Sequence, residues 1–146
     1  MTWLDEIDSP PGVRPHTPNL WNPAMGRVEL QRTAGRVIGS GFTAEGNNAL
    51  WTPAAGNRFR MMGFSFYIPS DVTAAAGTTY LALRDGDTYI DTLGAFPSAV
   101  PNAIFETVNL PGNGYLSIAA NNVLNVNLTK VLTAGVIRVR VWGCEE

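Results

Sequence analysis

From Arg27 onward, no apolar stripe in this chain sustains a helical period. Hydrophobic residues alternate instead in short runs, cut by Gly, Pro, Asn and Asp. Alternation with period two puts one face of a run into a core and the other toward solvent, which is the mark of a β-strand. The runs are Arg27–Arg32 and Gly35–Phe42, read as a first pair joined tightly at Thr33-Ala34. Next come Arg58–Met61 continuing into Phe64–Ile68, then Thr78–Arg84, Thr88–Leu93, Ile104–Leu110, Tyr115–Ala119, Leu124–Leu128 and Val136–Trp142. In the last run, Ile137, Val139 and Val141 should face inward, with Arg138 and Arg140 outward. Asp85-Gly86-Asp87 predicts a hairpin, because Asp-Gly suits the positive φ of a type I′ turn. Roughly eight short strands at this spacing predict an all-β body, a β-sandwich or jelly roll. Only Trp3–Asp8, Asp71–Ala76 and Ser98–Ala103 leave room for helical turns, and a helix through Val123–Leu132 fits less well than a strand.

Before this body lies a different kind of sequence. Pro10, Pro11, Pro15, Pro18 and Pro23 fall within fifteen residues, half of the 10 prolines in the chain. Proline lacks an N–H and fixes φ, so this stretch can form neither a helix nor a central strand and should run extended. Val13, Leu20 and Trp21 lie within it, and apolar side chains on an extended segment need a surface to cover them. The expected organisation is therefore an N-terminal arm over residues 1–26 and a body over 27–146. The arm, through Pro10, Pro11, Val13, Arg14, Pro15, Pro18, Leu20, Trp21 and Pro23, is the expected partner-binding element, with Trp21 as its anchor.

Composition narrows the function. Charged residues make up 15% of the chain, against about 25% in an average soluble domain, so part of the surface is expected to pair with other subunits. A net charge of −2 gives no basic footprint for nucleic acid. Lys130 is the sole lysine against nine arginines, and guanidinium groups suit protein interfaces better than ammonium groups do. Cys144 is the only cysteine and His16 the only histidine, which removes intrachain disulfides, cysteine-based zinc clusters and multi-histidine metal sites. The acidic opening Met1–Asp8 lacks the basic and apolar segments of a signal peptide, and no apolar run is long enough to span a membrane. Synthesis in a cytoplasm without an export signal is the expectation.

Chemical motifs are weak. Gly39-Ser40-Gly41-Phe42-Thr43-Ala44 matches a dinucleotide fingerprint, but Glu45-Gly46-Asn47-Asn48 reads as turn chemistry where a helix should begin. Asp85, Asp87 and Asp91 suggest calcium, yet Tyr89 occupies a ligand position and no glutamate closes the loop; a hairpin accounts for them. Glu106 with Asp91 is a carboxylate pair that no spacing supports, and Cys144 beside Glu145 and Glu146 reads as inert. Trp51 and Trp142 are expected to plug the ends of the core. No enzyme, no cofactor and no metal is expected.

Low charge, Asn/Gly turns, Asn122-Val123-Leu124-Asn125-Val126-Asn127-Leu128 and the final Val136-Ile137-Arg138-Val139-Arg140-Val141-Trp142 together give the chain its style. In this it resembles structural virion proteins of tailed bacteriophages, most closely the capsid decoration (head cement) proteins. The resemblance implies a β-sandwich or jelly-roll body and a homotrimer on the capsid surface, bound to the major capsid protein. It also implies an arm that grips neighbouring subunits and stabilises the shell. A phage fibre or tail component, or a carbohydrate-binding β-sandwich module with exposed aromatics, is the alternative.

Overall fold

The computed structural model describes residues 35–146, together with the backbone of two short strands before them, β1 (Trp21–Asn22) and β2 (Arg27–Val28). The chain divides into two compact units, Met1–Thr33 with Glu146, and Ala34–Glu145. In the first unit β1 and β2 pair antiparallel, Trp21 opposite Val28. The helical turn expected at Trp3–Asp8 and the arm residues Pro10, Pro11, Val13, Arg14, Pro15, Pro18, Leu20 and Pro23 lie outside the described residues. So does His16. For Trp21 only the strand pairing is described.

The second unit is all-β, with no helix among the described residues. Its strands are β3 (Arg36–Phe42), β4 (Gly46–Trp51), β5 (Phe59–Ile68), β6 (Thr73–Ala74), β7 (Thr79–Asp85), β8 (Thr88–Phe96), β9 (Ile104–Asn109), β10 (Tyr115–Leu116), β11 (Leu124–Leu128), β12 (Leu132–Ala134) and β13 (Ile137–Glu145). Eight of these have five or more residues; β6, β10 and β12 have two or three. One sheet runs β3-β13-β5, with β9 and β10 each pairing the far side of β5. A second runs β4-β11-β7-β8, and β6 pairs β12 separately. Every pairing is antiparallel.

Alternation explains how these two sheets make a sandwich-like core. Along β11, Leu124, Val126 and Leu128 are buried while Asn125 and Asn127 are half-buried on the other face. Along β13, Ile137, Val139 and Val141 are buried while Arg138 and Arg140 are exposed. Leu81 and Leu83 of β7, Phe59, Phe64, Phe66 and Ile68 of β5, and Trp51 of β4 join them in one continuous cluster. Each large side chain removed from water in this way stabilises the fold by about 1.5–3 kcal/mol, so truncating one of them costs several times the typical surface change.

Several local expectations are corrected. Gly35–Phe42 does not pair with Arg27–Arg32: β3 takes β13 as its partner, Val37 opposite Trp142, and β2 pairs β1. Glu45-Gly46-Asn47-Asn48 is not simply a turn, because β4 begins at Gly46 and Asn47 already stands opposite Asn127. Sheet pairing there overrides turn-forming composition. Asp71–Ala76 and Ser98–Ala103 are not helical: Thr73–Ala74 is a strand and Thr73 bridges Ala99. The β7–β8 turn comprises Gly86 and Asp87, and only Gly86 has positive φ (60°), the pattern of a type II′ turn and not of type I′.

Candidate interaction surface on the five-stranded sheet

The residues that face away from the core on β3, β13, β5 and β9 form an ordered grid. In one row Gly41, Arg138, Tyr67 and Phe105 stand side by side; in the next, Gly39, Arg140, Ser65 and Thr107; in the third, Val37, Trp142, Gly63 and Asn109. Antiparallel neighbours place their side chains close together on one face, so these rows are contact rows. Arg140 lies between Gly39 and Ser65, and Arg138 between Gly41 and Tyr67. The missing bulk hollows the face into a groove of about 730 Å³, lined by Gly39, Gly41, Ser65, Tyr67, Arg138 and Arg140 among others.

The groove combines charge with apolar surface. Tyr67 and Phe105 meet edge to face, ring centres 6.3 Å apart at 76°, a geometry aromatic quadrupoles favour. Phe105 and Val37 are about two-thirds exposed (66% and 65%), unusual for large apolar residues on a strand. Arg138 and Arg140 are exposed and have no ion-pair or hydrogen-bond partner among the described residues. Trp142, expected to plug the core, lies half-buried on this outer face instead, its indole so close over Gly63 that a Cβ there would collide with the ring. The strand that supplies the arginines is held from both sides by β3 and β5, so their stems are fixed by the sheet.

Two buried carboxylates elsewhere in the body are occupied by its own donors. Asp85, at the end of β7, accepts the Tyr115 hydroxyl (2.9 Å) and the Ile118 N–H (2.7 Å) on Oδ2. Its Oδ1 accepts the Ser117 hydroxyl (2.9 Å) and the Asn122 amide (2.8 Å). Burial, the bond to Asp85 and that residue's charge push the Tyr115 hydroxyl up to about 12. Glu145, at the end of β13, accepts Trp51 Nε1–H (2.9 Å) and Arg36 (3.2 Å) on Oε2, and the Ala54 N–H (3.2 Å) and Asn57 amide (3.3 Å) on Oε1. Burial alone would raise its pKa, but the bonds from Trp51, Ala54 and Asn57, with the Arg36 charge, outweigh it and hold it below the ordinary glutamate value.

These placements settle the roles of several residues singled out in the sequence. A hairpin turn is not the whole account of Asp85, which ties β7 to the 115–122 segment; its lone pairs are already filled by protein donors. Asp85, Asp87 and Asp91 do not gather into a metal-holding group, and none of three or more such residues occurs among the described residues. Gly39–Phe42 is strand, with no helix after it to receive a pyrophosphate. Glu106 and Asp91 stand on different sheets. Cys144 is buried. The sequence does not mark the groove, because it depends on β3 pairing with the distant β13 and not with Arg27–Arg32; the outward Arg138 and Arg140 are its one visible sign. No protein-family model matches the chain, and no curated protein is detectably similar to it.

Proposed function

We propose that the chain is a structural virion protein, a decoration or cement protein that binds the outside of a phage capsid as a homotrimer and stabilises the shell. In this reading the body is a jelly roll and the arm, around Pro10–Pro23, grips neighbouring subunits. One observation carries the proposal. Taken in chain order, the eight longer strands change sheet at every step except the β7–β8 hairpin, giving β3-β13-β5-β9 in one and β4-β11-β7-β8 in the other. This is the order produced by winding an antiparallel hairpin of four strand pairs around a barrel: β3 pairs β13, β4 pairs β11, β5 pairs β9 and β7 pairs β8. Jelly rolls of this kind recur in viral shells and in lectins. Fold alone does not assign function, so the surface must decide between these. A rigid groove with two free arginines and exposed aromatic residues supports a protein-docking role, since interfaces are enriched in arginine and aromatic side chains.

A protein that binds the assembled lattice and not its free subunits stabilises the lattice by mass action, about 2.7 kcal/mol per site at a hundredfold excess over Kd. A second contact through the arm becomes effectively intramolecular and multiplies that gain. Comparing particles with and without the protein for genome loss on heating tests the reading. Retention only in its presence supports it; equal loss from both sends the assignment to a tail or fibre part. A lectin role has its own support in Tyr80 and Tyr89, exposed at 49% and 54% on the second sheet. Selective binding on a glycan array would favour it.

A further inference from the structure

We propose that the groove on the outer face of the first sheet receives residues 4–8 of a second copy of this chain, with Glu6 and Asp8 paired to Arg140 and Arg138. The inference rests on the self-association in the reading above and names the surface and the segment that produce it. Arg138 and Arg140 are two residues apart on one strand, so their stems rise from the same face about 6.8 Å apart. An extended peptide repeats its side chains on one side at the same interval, so its carboxylates match the two guanidiniums only when spaced i and i+2. The chain has 12 acidic residues, and only two pairs have that spacing, Asp85 with Asp87 and Glu6 with Asp8. Asp85 is buried and holds four donors of its own, which leaves Glu6 and Asp8.

The apolar pattern agrees with the charge pattern. With Asp8 at Arg138 and Glu6 at Arg140, the next side chain on that side is Leu4, one step further along the strand. That step on the sheet is the row of Trp142 and Val37, where Val37 is 65% exposed. Gly39 and the small Ser65 on either side of Arg140 leave the depth a peptide backbone needs to approach its guanidinium, whereas the Val136 side chain covers Gly41. Arginine and carboxylate then meet in the bidentate geometry that gives both strength and register. Each copy donates one segment and receives one, a head-to-tail contact that closes into a ring when the rotation allows.

The test is a charge exchange in the full-length protein, read by sedimentation equilibrium. One variant carries Arg138→Glu and Arg140→Glu, the other Glu6→Arg and Asp8→Arg. Each alone should associate at least roughly tenfold more weakly than the unchanged protein, since reversal replaces attraction with repulsion. Far-UV circular dichroism should be unchanged, because both arginines face solvent. The variant with all four exchanges should recover association in full, since its arginine-bearing segment fits the glutamate-bearing groove of the next copy. An equimolar mixture of the two double variants should associate more than either alone, though not into closed trimers, because a ring of three cannot alternate two variants throughout. Unchanged association of either variant overturns the proposal. So does a mixture that associates no better than either double variant while the variant with all four exchanges recovers, which assigns the segment to its own groove. Co-sedimentation with phage particles keeps the two readings apart. Absence from particles with the charge exchange intact removes the virion role alone; presence on particles with no charge effect removes the groove pairing alone.

Discussion

The carboxylate of Glu145 accepts the indole N–H of Trp51 at 2.9 Å inside the body, 94 residues apart in sequence. Arg36 joins the pair from β3, its guanidinium 3.2 Å from the same oxygen and 5.4 Å from the Trp51 ring. One acidic side chain thus fastens the last turn of β13 to β4 and to the loop that follows it.

Glu145→Ala should cost about 3 kcal/mol or more, because the indole, the Ala54 N–H and the Asn57 amide lose their acceptor in a buried place. Chemical denaturation should show the loss as a lower midpoint with an unchanged slope.

The pH dependence has a definite sign. The folded pKa of Glu145 lies below the ordinary value of 4.5. Its stabilisation is therefore fully present above that value and is lost as pH falls through the lower folded value. Glu145→Gln should flatten the acid limb of a stability–pH curve and leave the neutral region lower but level. An acid limb identical to that of the unchanged protein would contradict this.

Tyr115 acts at the other end of the scale. Its folded pKa of about 12 lies above the ordinary 10.0, so its contribution is complete below pH 10 and is lost as pH rises toward 12. Tyr115 should ionise late in an ultraviolet titration, and Tyr115→Phe should remove that phase. Asp85→Ala should lower stability by about 3 kcal/mol or more, since four donors lose one buried acceptor.

Gly143 sits where the register between β13 and β5 shifts, and a Cβ there would run into the Arg60 carbonyl oxygen. Backbone cannot swing aside as a side chain can. Gly143→Ala should cost roughly 2–4 kcal/mol, visible as a lower thermal midpoint. Gly63→Ala meets the Trp142 ring first, a side chain and not backbone, and should instead change its fluorescence, at smaller cost.

Removing residues 1–33 should leave the body folded, because every buried core residue named above lies in the unit Ala34–Glu145. Circular dichroism should keep its β signature while binding to particles is lost. Equal binding by the truncated protein would take the partner contact away from the arm.

Much of this body could be read from alternation alone. Leu124–Leu128 and Ile137–Val141 showed their inward and outward faces directly, because period two has only one solution once a core is assumed. The same rule reaches Asp85, which continues Leu81 and Leu83 and is disguised by its charge. It stops short of Glu145, because β13 shifts register after Trp142 and buries Gly143, Cys144 and Glu145 in succession. Pairing over long sequence distance was not legible, since nothing in Gly35–Phe42 names Ile137–Gly143 as its partner, and the groove depends on that pairing. β4 was hidden because Gly46, Asn47 and Asn48 have the composition of a turn and the geometry of an edge strand.

β13 writes two texts in alternating letters. Ile137, Val139 and Val141 address the interior, while Arg138, Arg140 and Trp142 address whatever meets the outer face. A slip of one residue would exchange the two texts and drive guanidinium groups into the core, so the fold itself guards the spelling of the surface. Within that frame the outward letters are free to change without touching the inward ones. A lineage of such proteins could therefore switch partners through two or three substitutions on one strand, keeping the same architecture while its recognition drifts.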